Sequence, residues 1–180
     1  VVNTINTDIP FEPSLSGPGE IISWEMIGEL PSGMQFNTST GILSGIPTEL
    51  WSTANYTIWA NNTGGSNDFS FSLTVVDQVP NEIRYSDVNL TLTNNTAMSP
   101  EQPLITGPGT ITSWVIIGEL PDGISFSQST GEISGTPTEL WPITPYTVWA
   151  NNSGGSVFVE FNISVIAIEP SISYNSNALT

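Results

Sequence analysis

The sequence predicts an all-β protein made of two tandem antiparallel β-sandwiches. First, the chain repeats itself: residues 14–76 align with residues 104–166 without a gap, and more than half of the positions are identical. Second, short segments alternate between apolar and polar residues. Third, Gly and Pro interrupt the chain at short intervals, and no stretch keeps a helical period. Short strands with turn signals roughly every 8–12 residues are typical of a β-sandwich.

The clearest alternation lies in two aligned segments. Residues 69–75 read FSFSLTV, and residues 159–165 read VEFNISV. This period of two predicts half-buried strands, because successive side chains of a strand face opposite sides of its sheet. Residues 22–26 and 56–60 are rich in aromatic and β-branched side chains, which favours two further strands.

A turn-rich phrase occurs once in each half of the chain. Residues 30–51 read LPSGMQFNTSTGILSGIPTELW, and residues 120–141 read LPDGISFSQSTGEISGTPTELW. Pro fixes φ and Gly tolerates positive φ, so the LPSG and LPDG starts predict turns, as does STG further on. Ile124 and Phe126 lie two positions apart and can face the same side of a short strand. The phrase therefore predicts a β-hairpin with an apolar face.

The same phrase resembles the signature of the Ig-like, cadherin-like repeat domains of bacterial and archaeal surface proteins. That signature is L-P-x-G-hydrophobic-x-F followed by T-G-x-hydrophobic-x-G-x-P-T, and residues 30–48 and 120–138 both match it. Residues 56–65, YTIWANNTGG, are similar to the family's Y-T-hydrophobic-x-A-x-N-x-G-G segment. The resemblance covers nearly all of both repeats. It implies tandem Ig-like or cadherin-like sandwiches along a surface protein, and it implies no catalytic residues.

The repeat predicts where the domains begin and end. We expect one sandwich over residues 1–79, with an incomplete first strand, and a second over residues 80–169. Residues 170–180 then supply the first strand of a following repeat. The support is an alignment with a one-residue gap, which sets Tyr174 on Tyr85 and Leu179 on Leu90.

The two ends of the chain also match each other. Joining Thr180 to Val1 gives SISYNSNALT-VVNTINTDIPFEP, which resembles the start of the second repeat. We therefore expect a segment of a longer tandem array, or a filament subunit whose neighbours complete one another's sheets by strand addition.

Charge excludes several classes of partner. The chain has 17 acidic residues, one basic residue (Arg84), and a formal net charge of −16. Nucleic-acid binding needs Lys and Arg to contact phosphates, so it is not expected, and neither is attraction to an anionic membrane surface. No apolar run approaches the roughly 20 residues that span a bilayer, so membrane insertion is not expected in this segment. The acidity fits a solvated surface suited to saline surroundings, or binding of divalent cations.

Catalysis is not expected. Because the chain has no His and no Cys, it cannot form a Ser-His triad, a Cys-His pair or a His-based zinc site. The carboxylates repeated in both halves are Glu29, Glu119, Glu49 and Glu139, and each lies beside a predicted turn, where an exposed acid is ordinary. We predict that the protein is not an enzyme.

Calcium is the metal that the sequence favours. Cadherin-like modules often bind Ca²⁺ at domain junctions through hard oxygen ligands, and the first junction offers Asp77, Glu82 and Asp87, with Asn81 nearby. The second junction offers only Glu169 and Asn175, and no dense Asp-x-Asp motif is present. The alternative is that these acids simply solvate a linker.

Asn-x-Ser/Thr sequons suggest an extracellular glycoprotein. They occur at seven positions: Asn37, Asn55, Asn61, Asn89, Asn94, Asn151 and Asn162. Asn61 and Asn151 occupy the same place in the two repeats, which makes them the best candidates for glycosylation.

The repeated Trp residues have two expected roles. Trp24 and Trp114 are predicted to fill the cores, while Trp51 and Trp141 lie by loops and are candidates for contacts between repeats or subunits. The sequence thus favours a structural extracellular protein, the repeating unit of a surface filament, stalk or surface layer, with copies of itself as partners. The alternative is an adhesin or carbohydrate-binding module of a larger cell-surface protein, with surface glycans as partners.

Overall fold

A computed structural model of the chain describes residues 2–8, 10–17 and 19–173. Every regular element in the described residues is a β-strand, which confirms the predicted fold class. The chain divides into two units. Unit 1 comprises Val1–Val79 with Asn152–Gly155, and unit 2 comprises Pro80–Asn151 with Ser156–Thr180. Residues 174–180, which include most of the predicted start of a following repeat, lie outside the described residues.

Unit 1 contains one four-stranded sheet and one hairpin. The sheet has the order β1-β6-β5-β2, and the hairpin joins β3 to β4. The strands in chain order are β1 (Val2–Thr4), β2 (Ser23–Ile27), β3 (Met34–Phe36), β4 (Leu43–Gly45), β5 (Trp51–Asn62) and β6 (Gly65–Val76).

Unit 2 repeats this plan and adds two strands. Its large sheet has the order β10-β13-β14-β8, and its hairpin joins β11 to β12. An extra ribbon pairs β7 with β9. The strands are β7 (Glu82–Arg84), β8 (Asn89–Thr93), β9 (Leu104–Thr106), β10 (Ser113–Ile117), β11 (Ile124–Phe126), β12 (Ile133–Gly135), β13 (Trp141–Asn152) and β14 (Gly155–Ile166).

The predicted hairpin forms in both repeats. In unit 2, Ile124 opposes Gly135 and Phe126 opposes Ile133. The turn before it requires Gly123, which has a φ of 87° and whose added Cβ would lie 2.0 Å from the carbonyl oxygen of Thr136. Only glycine fits a backbone that approaches this closely at positive φ. The LPxG phrase is thus a structural brace of the sandwich.

The large sheets are mixed rather than purely antiparallel. β2, β5 and β6 pair antiparallel, but β1 pairs parallel with β6, and β8 pairs parallel with β14 in the same way. A parallel pair needs a long crossover between its strands, and here the rest of each unit supplies it.

The core of unit 2 lies between its large sheet and its hairpin. Tyr146, Val148 and Ile163 from the sheet pack with Trp114 and Ile133, and all five are buried. Ile83 and Tyr85 belong to the same cluster. In unit 1 the aligned residues Trp24, Leu43, Tyr56, Ile58 and Leu73 are also buried, which confirms Trp24 and Trp114 as core residues.

Candidate functional site

Segment 81–90 closes one side of unit 2. Its Ile83 side chain is buried. Strand β7 pairs antiparallel with β9, and Ile83 lies opposite Ile105 in this pair. The Tyr85 ring lies against Phe161 with 5.0 Å between ring centroids, and the Tyr85 hydroxyl donates to the carbonyl oxygen of Gly131 at 2.5 Å. Burial, and secondarily the negative charge of Glu101, raise the pKa of Tyr85, so its hydroxyl remains a protonated donor.

Unit 1 has an open groove at the equivalent place. The groove holds about 650 Å³, and its lining includes Phe11, Leu15, Trp24, Gly41, Ile58 and Phe69. Gly41 aligns with Gly131, the acceptor of the Tyr85 hydroxyl in unit 2.

The backbone beside this groove also lacks a partner strand. Residues 14–16 of unit 1 align with β9, yet in the part of the chain that the structure describes they pair with no strand. In unit 2 the aligned strand β9 pairs with β7.

Side chains along the groove are more exposed than their counterparts in unit 2. Leu15 is 61% exposed and Phe69 is 58% exposed, whereas Val159, which aligns with Phe69, is packed against the core. Phe71 is half-buried, while its counterpart Phe161 is buried under Tyr85. Phe11 partly compensates, because its ring lies 5.2 Å from that of Phe71. The groove therefore presents apolar and aromatic surface that a short strand would cover.

The predicted interface residues Trp51 and Trp141 form internal hydrogen bonds. The Trp51 indole donates to the Tyr56 hydroxyl at 3.0 Å, and that hydroxyl donates to the carbonyl oxygen of Glu29 at 2.6 Å. Unit 2 repeats the relay from Trp141 through Tyr146 to Glu119.

Each relay ties the start of a long strand to the loop before the hairpin. Burial of Tyr146 raises the pKa of that phenol, while its hydrogen bond from Trp141 opposes the shift. Both Trp side chains are half-buried. Their role in contacts between subunits stays a prediction.

The repeated carboxylates act as turn acceptors. Glu49 accepts a hydrogen bond from the backbone N–H of Ser32 at 2.7 Å, and Glu139 accepts the equivalent bond from Asp122 at 2.9 Å. This backbone donor is the main reason why the pKa of Glu49 lies below its usual value. These geometries give Glu49 and Glu139 a structural task in the turn before each hairpin.

The predicted calcium ligands do not form a cluster within the described ranges. Those residues contain no group of three or more His, Cys, Asp or Glu side chains that could hold a metal ion. One oxygen of Asp77 accepts the N–H of Gln78, and one oxygen of Asp87 accepts the N–H of Asn89, so both carboxylates make local turn bonds. Glu82 is exposed on β7. Calcium binding stays a prediction.

The sequons lie on strands and turns, and two of them meet. Asn89 of β8 and Asn162 of β14 are direct neighbours in the parallel pair, and the Asn162 amide donates to the Asn89 side-chain oxygen at 2.9 Å. Asn55 and Asn61 lie on β5, and Asn151 lies on β13. Asn37 accepts the N–H groups of Ser39 and Thr40 in the hairpin turn, and the side-chain oxygen of Asn94 is buried. Glycosylation stays a prediction at all seven.

Sequence reasoning missed an aromatic pair on the outer face of unit 2. Trp149 of β13 and Phe158 of β14 have ring centroids 4.9 Å apart, and Phe158 is 51% exposed. Val115, which opposes Trp149 on β10, is also exposed. In unit 1 the position of Phe158 is held by Asp68. The signal was available in VFVEF, where Phe158 breaks the apolar-in, polar-out alternation.

Comparison with known families identifies the fold family. A model of the family described as "Putative Ig domain" matches residues 2–76 and 81–166. The chain belongs to this family. The match covers both repeats and confirms the resemblance that the LPxG phrase indicates. No curated protein matches the sequence.

Three solved structures are among those similar to this chain. Extracellular domains 3–5 of Drosophila OTK are 16% identical to this chain, with a TM-score of 0.53, and the alignment covers 94% of this chain and 59% of that one. A titin I-band fragment, I67–I69, is 18% identical with a TM-score of 0.41, covering 93% and 62%. Murine CEACAM1b is 13% identical with a TM-score of 0.48, covering 92% and 96%. The chain thus spans about three fifths of the OTK and titin fragments, and at 16% identity the likeness to OTK shows the fold alone.

Among the described residues, no helix is long and apolar enough to cross a membrane.

Proposed function

We propose that this chain is the repeating unit of an extracellular filament, stalk or surface layer, built from Ig-like sandwiches joined end to end. The observation that supports this most directly is the groove of unit 1. It lies where unit 2 holds segment 81–90, so one repeat of the same plan is closed and the other is open. A head-to-tail joint between such units closes the open one.

Surface charge and chemistry agree with a structural role. With a net charge of −16, chains repel one another except where a specific contact overcomes the repulsion, which suits an ordered assembly and discourages random aggregation. The repeated carboxylates hold turns, and the buried Tyr hydroxyls hold backbone carbonyls. The sequons and the Ig-like fold fit an extracellular location.

Electron microscopy of the purified chain tests this proposal. We expect fibres one domain wide with an axial repeat of two domains, together with species larger than monomers in size-exclusion chromatography with light scattering. A chain that stays monomeric at every concentration and salt level tested contradicts the proposal.

Calcium is an accessory part of the proposal. If Asp77, Glu82 and Asp87 contribute to a bound ion, a chelator should lower the melting temperature, because a ligand that binds only the folded state stabilises it. Unchanged melting in EDTA and in added Ca²⁺ would remove the ion from the proposal. Mg²⁺ at the same ionic strength serves as the control for simple charge screening.

A second candidate function is glycan binding, and the outer face of unit 2 favours it. Trp149, Phe158 and Val115 form a partly exposed apolar surface of the kind on which a sugar ring can stack. A glycan array tests glycan binding, with Phe158→Asp as the variant. Aspartate is chosen because Asp68 occupies the aligned position in unit 1. No binding by the parent chain would rule this function out. Trp51→Ala and Trp141→Ala would locate any binding that is seen.

A further inference from the structure

We propose that the groove of unit 1 is an acceptor site for residues 171–179 of a second copy of this chain, with Ile172 and Tyr174 as its anchors. This inference rests on the proposed function and names the joint that would build the filament.

The donor segment matches the one that closes unit 2. Ile172 aligns with Ile83, and Tyr174 aligns with Tyr85. In unit 2 these two positions are buried, and they supply the apolar anchor and the phenol that bonds to Gly131. Ile172 is 79% exposed in this chain, so an apolar side chain that is buried in its counterpart lies in solvent here.

The groove offers each anchor an equivalent partner. By analogy with the pairing of Ile83 with Ile105, Ile172 would oppose Leu15, which is itself largely exposed. Tyr174 would stand over Phe71 as Tyr85 stands over Phe161, and its hydroxyl would donate to the carbonyl oxygen of Gly41. Residues 14–16 would then gain the strand partner that β9 has in unit 2.

Chain direction favours a second copy over the donor's own unit 1. In this chain the segment that follows β6 closes the next unit, unit 2, rather than the unit that it leaves. By the same rule, the segment that follows β14 closes a unit that comes after unit 2. If repeats were joined in one continuous polypeptide, the segment after one repeat would close the next repeat through the same contact. The order of units is therefore the same in a continuous array and in a filament of separate copies.

Charge also permits the approach of two acidic chains. Segment 171–180, SISYNSNALT, has no charged side chain, whereas residues 81–90 carry Glu82, Arg84 and Asp87. A neutral donor can enter a groove bordered by Glu12 and Asp68 without a like-charge penalty. Salt that screens the remaining repulsion between chains should therefore promote assembly.

A disulfide trap gives the sharpest test, because the natural chain has no Cys. Since Arg84 opposes Leu104 in unit 2, Ser173 of the donor should oppose Ser14 of the acceptor. Opposed residues of antiparallel strands have Cα atoms about 4.5–5.5 Å apart, which suits a disulfide. The full-length double variant Ser14→Cys, Ser173→Cys should form a ladder of covalent multimers on oxidation.

The matched control moves the acceptor cysteine out of register. In Ser16→Cys, Ser173→Cys the two sulfurs should lie too far apart, and the ladder should be at least tenfold weaker. Equal ladders from both pairs would overturn the proposed register. A cross-linked monomer from the first pair would show that the chain's own tail occupies the groove, and it would overturn the assignment to a second copy.

A peptide-binding experiment tests the groove without requiring the chain to polymerise. A fluorescent peptide of residues 169–180 should bind the chain truncated after Glu169, and Tyr174→Ala in the peptide or Leu15→Asp in the chain should weaken binding at least tenfold. Leu15 is exposed in the chain and Tyr174 is changed only in the peptide, so folding of the chain is preserved. A circular permutant with residues 170–180 placed before Val1 should be monomeric and should not bind the peptide.

The failures of the two proposals are distinguishable. Fibres that persist in Ile172→Ala, Tyr174→Ala would leave the proposed function standing and overturn the donor assignment. Peptide binding without polymers of the full chain would support the groove and contradict the filament. If the peptide does not bind the truncated chain, the groove is not the acceptor.

Discussion

The two units share a plan and more than half of their aligned residues, yet they differ along one side of the sandwich. In unit 2 that side is closed by β7 and by Tyr85, which bonds to Gly131 and covers Phe161. In unit 1 the same side is a groove in which Phe69 and Leu15 remain exposed. The hairpin, the Trp–Tyr relay and the order of strands in the large sheet are equivalent in the two units. These three features therefore form alike beside the closed side of unit 2 and beside the groove of unit 1.

The largest expected effect comes from opening unit 2. Tyr85→Ala should lower the free energy of unfolding of unit 2 by about 3–5 kcal/mol, as for other large aromatic truncations in cores, because it removes the ring from Phe161 and the hydroxyl from Gly131. Hydrogen exchange of β13 and β14 amides in the full chain measures it, with β5 and β6 of unit 1 as the internal reference.

Arg84→Ala is the neighbouring control for that experiment. Its side chain is exposed, so its effect should stay within about 0.5 kcal/mol. If Tyr85→Ala changes exchange no more than Arg84→Ala does, the closing segment does not stabilise unit 2.

A pair of aligned glycines provides the next test. Gly17 and Gly107 both have positive φ, 117° and 97°, so alanine at either should cost about 1–3 kcal/mol in backbone strain. Only Gly107 faces the closing segment, because its added Cβ would lie 2.7 Å from the backbone nitrogen of Asn81, whereas at Gly17 nothing lies within 4 Å. Gly107→Ala should therefore cost about 1–3 kcal/mol more than Gly17→Ala in urea unfolding. Equal costs would contradict the difference between the two sides.

The features that the sequence predicts correctly are those that a local residue pattern encodes. The LPxG turn, the hairpin after it and the alternation at 69–75 follow from glycine, proline and period two, and each appears where expected. The groove was not predictable, because it depends on which distant segment lies beside β6 or β14. The parallel pairing of β8 with β14 joins residues more than 70 positions apart, as from Asn89 to Asn162, and leaves no periodic signal.

The hydrogen bond from Trp51 to Tyr56 could not be predicted from the sequence for a different reason. Strand alternation places residues five apart on opposite faces, which separates Trp51 from Tyr56. The structure has a register shift between Trp51 and Ala54, where β5 pairs with β6, and this irregularity brings the indole to the phenol. A bulge of this kind redirects a side chain without a clear mark in the sequence.

Removing the relays should affect both units equally. Trp51→Phe and Trp141→Phe each delete one indole donor to a Tyr hydroxyl that keeps its bond to the loop carbonyl. We expect a loss of about 1 kcal/mol per variant, the usual net value of one hydrogen bond, measured by thermal unfolding. If assembly falls while unfolding is unchanged, Trp51 and Trp141 act at an interface instead, as the sequence suggests.

The smallest expected effect is the pH dependence of the turn that Glu49 holds. The Ser32 N–H lowers the pKa of Glu49 below its ordinary 4.5, so the folded state binds this proton less readily than the unfolded state. The bond therefore stabilises unit 1 fully above pH 4.5, and its contribution is lost as the pH falls through the folded pKa. Because the side chain is exposed, the contribution is small and salt weakens it.

In Glu49→Gln, the unfolding free energy of unit 1 should fall less steeply between pH 5 and pH 3 than in the parent. Carbon-detected NMR titration of Glu49 checks the sign directly, and Ser32→Ala, which keeps the backbone donor, should retain most of the shift. A midpoint at or above 4.5 in the parent would show that the turn bond does not favour the carboxylate.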